Sequence, residues 1–125
     1  MEVNMKIAAA ITTNKGLGST IDPRFGRAVQ FLTVNLETGE QIVIQNSQNL
    51  QAAQGAGIQS AQNVITAGCD AVLTGHCGPK AFATLQAAGV KIYLAEGLTI
   101  GQAIDAISTG DLLPSAGADV EGHWG

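Results

Sequence analysis

Charge is scarce in this chain. Asp, Glu, Lys and Arg make up 13% of its 125 residues, and the six Lys and Arg are outnumbered by ten acids, leaving a net charge of −4. The basic residues are scattered along the sequence, whereas a nucleic-acid binder needs a clustered basic face, so that class is set aside. Aromatic residues are nearly as rare, at 4%, and the core must therefore be assembled from Ala, Val, Ile and Leu. Two cysteines, Cys69 and Cys77, are too few for a disulfide scaffold. The first residues, 1–6, lack the basic segment and long apolar stretch of a secretory signal, so both cysteines are expected to be free thiols in a cytoplasmic protein. No run approaches the ~20 apolar residues that span a bilayer, so no membrane association is expected.

What is present is an alternation of short apolar runs and glycine-punctuated helical patterns. With 46% hydrophobic residues and sixteen glycines, the chain can bury one core and reads as one α/β domain over 1–113, followed by a flexible tail over 114–125. Strands are predicted at 6–12, 28–35, 41–45, 71–74 and 90–95, the second and third forming a hairpin around Glu37-Thr38-Gly39-Glu40. Helical spacing of Ile58, Ala61, Val64 and Ile65 predicts a helix over 57–67 with Gly68 behind it, and a second helix covers 80–88. Thr99 is placed to cap a third helix that ends at Gly110. The order is an antiparallel meander followed by βα units, so the later strands should be parallel.

The segment with the most chemistry is Gly75-His76-Cys77-Gly78-Pro79-Lys80, directly after the apolar run Ala71-Val72-Leu73-Thr74. A buried strand ends at a glycine, two soft-metal ligands follow, and a proline opens a helix. Open α/β sheets bind ligands at the carboxyl ends of their strands, where backbone amides and helix N-termini face the site. His76 and Cys77 do not close a four-ligand zinc site, because Cys69 reads as core packing and His123 lies in the tail. Gly16-Leu17-Gly18 after the first strand lacks the third glycine and the following helix of a dinucleotide fingerprint. The first strand carries no carboxylate, which argues against a two-metal nuclease.

Four segments carry a family resemblance: Ile21-Asp22-Pro23-Arg24-Phe25-Gly26-Arg27-Ala28; Asn46 at the end of the third strand; Ala71-Val72-Leu73-Thr74-Gly75 leading into Gly78-Pro79-Lys80-Ala81-Phe82; and Leu85-Gln86-Ala87-Ala88-Gly89-Val90-Lys91-Ile92-Tyr93. Over roughly 6–113 the chain resembles the dinitrogenase iron–molybdenum cofactor biosynthesis family. The resemblance implies an RNase H-like α/β fold, a mixed five-stranded sheet with three helices, and a non-catalytic carrier of a preformed metal–sulfur cluster. Within the family the chain is most similar to the stand-alone orange-protein type, which implies a molybdenum–copper sulfide cluster. An iron–molybdenum cofactor precursor is the alternative cargo, and cluster-donor or acceptor proteins are the implied partners.

On this reading Arg24 and Lys80 supply positive charge, with Lys15 on the same rim, and Gly75 and Gly78 supply amides. His76 and Cys77 are the candidate metal ligands, Asn46 ends the strand beside the site, and Phe25, Leu50 and Pro79 shield it. Two readings from other classes stand beside it. One is a thiol enzyme with Cys77 as nucleophile and His76 as base, and the other is an interaction domain without metal.

Overall fold

The computed structural model describes residues 5–47 and 55–118. Eight elements follow in the order β1 (Lys6–Ile11), β2 (Gln30–Asn35), β3 (Gln41–Gln45), α1 (Ala56–Thr66), β4 (Ala71–Thr74), α2 (Pro79–Ala87), β5 (Lys91–Leu94) and α3 (Ile100–Thr109). The strands form one mixed sheet in the order β3-β2-β1-β4-β5. β1 pairs antiparallel with β2, and β2 with β3, while β4 is parallel to both β1 and β5. The expected α/β architecture, with five strands and three helices, is therefore what the chain adopts.

β1 lies at the centre of the sheet and shows why its sequence is so plain. Period-two alternation sends Ile7, Ala9 and Ile11 to one face and Ala8 and Ala10 to the other, and all five are fully buried. Ala8 and Ala10 meet Ala61 and Val64 of α1 and Ala81, Phe82 and Leu85 of α2 in one apolar cluster. Ile7, Ala9 and Ile11 meet Ile100, Ala103 and Ile107 of α3 in the second. Phe25 and Phe31 fill the first cluster with tilted rings whose centroids lie 5.4 Å apart.

The ends of the helices follow local chemistry. Thr99 accepts from the Gln102 N–H while the Gln102 side chain accepts from the Thr99 N–H, a reciprocal capping box for α3. Gly110 closes that helix in the left-handed region at φ 83°. Pro79 occupies the first turn of α2, where its missing N–H has no intrahelical partner to lose.

The chain just after α3 is bonded back onto the domain. The Ser115 N–H donates to the Ile92 carbonyl at 2.7 Å, and the Leu112 N–H to the Ala106 carbonyl at 3.0 Å. The chain after α3 is thus fastened to β5, the last strand of the sheet. His123 lies outside the described residues.

Candidate functional site

Because β1, β3, β4 and β5 run in one direction, their carboxyl ends lie along one edge of the sheet. The loop between β1 and β2 is held there by backbone bonds from three directions. Asp22 N–H donates to Ala10 O at 2.7 Å, Ile21 N–H to Leu98 O at 3.1 Å, and Gly75 N–H to Asp22 O at 3.1 Å. An isolated parallel bridge then joins Arg24 to His76. The Asp22-to-Phe25 segment and the Gly75-to-Lys80 segment, far apart in sequence, are therefore neighbours.

Gly75 makes this contact possible. A Cβ at that position would lie 2.5 Å from the Pro23 Cα, so only glycine allows the two backbones to approach so closely. Asp22 organises the junction from within. Its buried carboxylate accepts from the Arg24 N–H at 2.9 Å and from the Thr12 hydroxyl at 3.1 Å, and its carbonyl also accepts from the Thr74 hydroxyl at 3.4 Å. The Asp22-to-Arg24 contact is the side-chain turn that an Asp-Pro pair favours. Beside it lies a cavity of about 350 Å³ lined by Thr12, Thr13, Lys15, Thr20, Ile21, Asp22 and Pro23.

The basic residues that are scattered in sequence are gathered by the fold. Lys15, Arg24, Arg27 and Lys80, four of the six, all sit in loops or a helix start at this edge, and all four are exposed. Among the described residues, Asp22 and Glu96 are the acids placed with them. The Arg24 Nε is 3.9 Å from Asp22 Oδ1, a long contact that leaves most of the guanidinium in solvent, with the side chain 59% exposed. In an acidic protein, this edge therefore carries an excess of positive charge.

The other expected site residues divide. His76 is half-buried and its Nε2 lies 2.7 Å from Glu96 Oε2, a partner at the end of β5. Cys77 is 1% exposed and packs in the same apolar cluster as Phe25 and Ala81, with its thiol 3.7 Å from Gly78 O. Phe25 is likewise buried at 2%, stacked toward Phe31 under the loop and not over it. Pro79 is exposed and Gly78 caps α2 with extended backbone. Asn46 is buried in a network of its own, donating to Ala28 O at 2.8 Å and the Ser60 hydroxyl at 2.9 Å and accepting from Asn63 at 2.9 Å. Ser60 in turn donates to Gly26 O at 3.2 Å, so Asn46 supports the Phe25-Gly26 segment from behind. Leu50 lies outside the described residues.

Sequence reasoning missed two members of this site. Glu96 and Thr12 carry no motif, and only the parallel register of β1, β4 and β5 reveals that their strand ends are adjacent. Cys69, expected as packing, is buried at the opposite end of β4, and burial pushes its thiol up to about 11.

Among the described residues no three His, Cys, Asp or Glu side chains come together as a metal-ion site. The exposed cations at this edge suit an anionic group better than a bare cation. Comparison with known proteins fits that chemistry. Residues 5–110 match the family described as Dinitrogenase iron-molybdenum cofactor. The chain belongs to that family.

Relatives place it more narrowly. The apo form of the orange protein from Desulfovibrio gigas is 37% identical, with a TM-score of 0.85 over 96% of this chain and 100% of that one. A putative NifB protein from Thermotoga is 34% identical, with a TM-score of 0.70 over 88% of this chain and 92% of that one. An uncharacterized protein of Methanocaldococcus jannaschii is 31% identical over 86% of this chain and 89% of its own length. Family membership and the likeness to the orange protein support a cofactor-binding or carrier role. Among the described residues, no helix is long and apolar enough to cross a membrane.

Proposed function

We propose that this protein is a non-catalytic carrier of a metal–sulfur cluster, and that its cargo is a molybdenum–copper sulfide of thiomolybdate type. The observation that carries the reading is the collection of Lys15, Arg24, Arg27 and Lys80 at one sheet edge of an otherwise acidic chain. A sulfide-bridged polyanion meets there the two requirements it has, positive charge and polar hydrogens. Arg24 and Lys80 supply the charge; the Gly75 N–H, expected to supply an amide, instead donates to Asp22 O at 3.1 Å, which leaves Gly78 as the glycine offering one. Pro79 gives the rim an apolar contact.

His76 and Cys77 are the candidate ligands to a cluster metal. The Glu96 carboxylate on His76 Nε2 fixes the ring, as carboxylates do for ligating histidines. Cys77 lies beneath the loop, so its engagement requires the thiol to turn out of the core. Without that turn, charge and amides alone hold the cargo. The resemblance to the orange-protein type implies molybdenum with copper, and the family's description makes an iron–molybdenum precursor the second cargo. The acidic composition and two cysteines outside any disulfide suit the cytoplasm. Proteins that deliver or receive the cluster are the implied partners.

The thiol-enzyme reading is less well supported. Cys77 is not presented to solvent, and His76 Nε2 is directed to Glu96 Oε2.

Anaerobic reconstitution of the purified protein with tetrathiomolybdate and copper, followed by desalting, tests the proposal. Near-stoichiometric molybdenum and copper with visible bands absent from free tetrathiomolybdate is the expected result, and a colourless, metal-free product would overturn the assignment. In the same assay Cys77→Ser should retain less cluster than Cys69→Ser. Equal retention would assign the holding to charge and amides alone.

A further inference from the structure

The two edges of the sheet are finished differently. At β5 the chain after α3 covers the edge through the Ser115-to-Ile92 bond. At β3 the sheet simply ends, and among the described residues nothing pairs with its outer side. Sheet edges are usually blunted by charge, proline or a bulge, because an open edge templates pairing with another strand. β3 has none of these: Gln41-Ile42-Val43-Ile44-Gln45 is uncharged, pairs with β2 in unbroken register, and leaves Ile42 44% exposed.

The register fixes which backbone groups face outward. Asn35 N–H donates to Glu40 O, and Asn46 N–H to Val29 O, so in this alternation residues 40, 42, 44 and 46 point their backbone groups at β2. Gln41, Val43 and Gln45 therefore point theirs away from the sheet. The sequence reads the same in both directions about Val43. An antiparallel copy centred there sets Val43 opposite Val43, Gln41 opposite Gln45 and Ile42 opposite Ile44, and every outward-facing residue falls at a hydrogen-bonded position. The flanking pair is Glu40 against Asn46, so no like charges meet.

We propose that β3 is the contact of a two-fold dimer, in which a second copy of this chain continues the sheet through Val43. Such an interface is isologous and closed, as two-fold contacts are. Ile42 and Ile44 would be covered on the helix α1 face, with the glutamines pairing on the other. A five-residue edge buries less than the roughly 1,000 Å² of a stable interface, so the dimer is weak and concentration-dependent. The inference is independent of what the opposite strand ends carry.

Sedimentation velocity of the full chain across a concentration series to about 1 mM reads the association directly. The expected result is a rise from the 12.7 kDa monomer toward twice that mass. Ile42→Lys opposes a charge to Ile44, and Val43→Pro removes an outward N–H without touching the β2 ladder. Either should raise the dissociation constant at least about tenfold. Leu113→Lys, a change at the 70%-exposed Leu113 far from β3 in the sheet, should associate as the wild type does. A protein that stays monomeric throughout the series would overturn the proposal, as would a dimer that Ile42→Lys leaves intact. If Val43→Pro fails to fold, Ile42→Lys alone decides.

Discussion

The two ends of β4 are a matched pair built to opposite purposes. At the amino end, Asp70 and Lys6 close on each other: Lys6 N–H donates to Asp70 Oδ2 at 3.0 Å, Asp70 N–H to Lys6 O at 2.7 Å, and Lys6 Nζ to Ala67 O at 2.7 Å. Lys91 N–H adds a bond to Asp70 O at 3.0 Å, and Cys69 is buried beside them. Most of the polar groups there bond to one another. At the carboxyl end, Asp22 is spent on holding backbone, and Arg24 and Lys80 extend into solvent with their charge largely uncompensated. The difference is one of satisfied against available charge, and on the proposed function it separates a structural end of the sheet from the cluster-binding one.

The largest break in that comparison should come from backbone. Gly75→Ala forces a Cβ against Pro23 and is expected to cost about 1–3 kcal/mol in urea unfolding, together with loss of cluster retention. Gly68→Ala at the other end has open space for its Cβ but sits at φ 78°, so its cost should be about 1 kcal/mol with retention kept.

A smaller effect should follow burial of the Cys69 thiol. With its folded-state pKa raised from 9.0 to about 11, the unfolded chain releases its proton first as pH rises. Stability should therefore be complete below pH 9 and fall by about 2 kcal/mol between pH 9 and pH 11. Urea midpoints across that window should show the fall in wild type and a shallower one in Cys69→Ala. Smaller still, Arg24→Ala and Lys80→Ala should each weaken cluster retention by about 1 kcal/mol, roughly fivefold, and added salt should mimic them. Lys6→Ala and Lys91→Ala, from the structural end, should leave retention unchanged in the same equilibrium measurement.

Elements whose causes are local were readable from the chain. The Thr99 cap, the αL glycine at 110, the hairpin at Gly39 and the apolar β1 each depend on residues within a few positions. Site membership was only partly readable, because it depends on register between distant strands. His76 and Cys77 were visible as a pair, yet their opposite fates, one paired with Glu96 and one packed in the core, are decided by neighbours elsewhere in sequence. Phe25 reads equally as a shield or a core plug, and packing against Phe31 makes it a plug. The basic residues looked dispersed because the fold, not the sequence, brings residues 15, 24, 27 and 80 to one edge.

Backbone amide chemical-shift mapping during titration with the copper–thiomolybdate cluster tests the central claim most directly. Shifts confined to 12–27, 75–80 and Glu96 are expected, with Lys6 and 67–70 unmoved. Shifts centred on the Cys69 end of β4, or none at the Gly75-to-Lys80 loop, would contradict it.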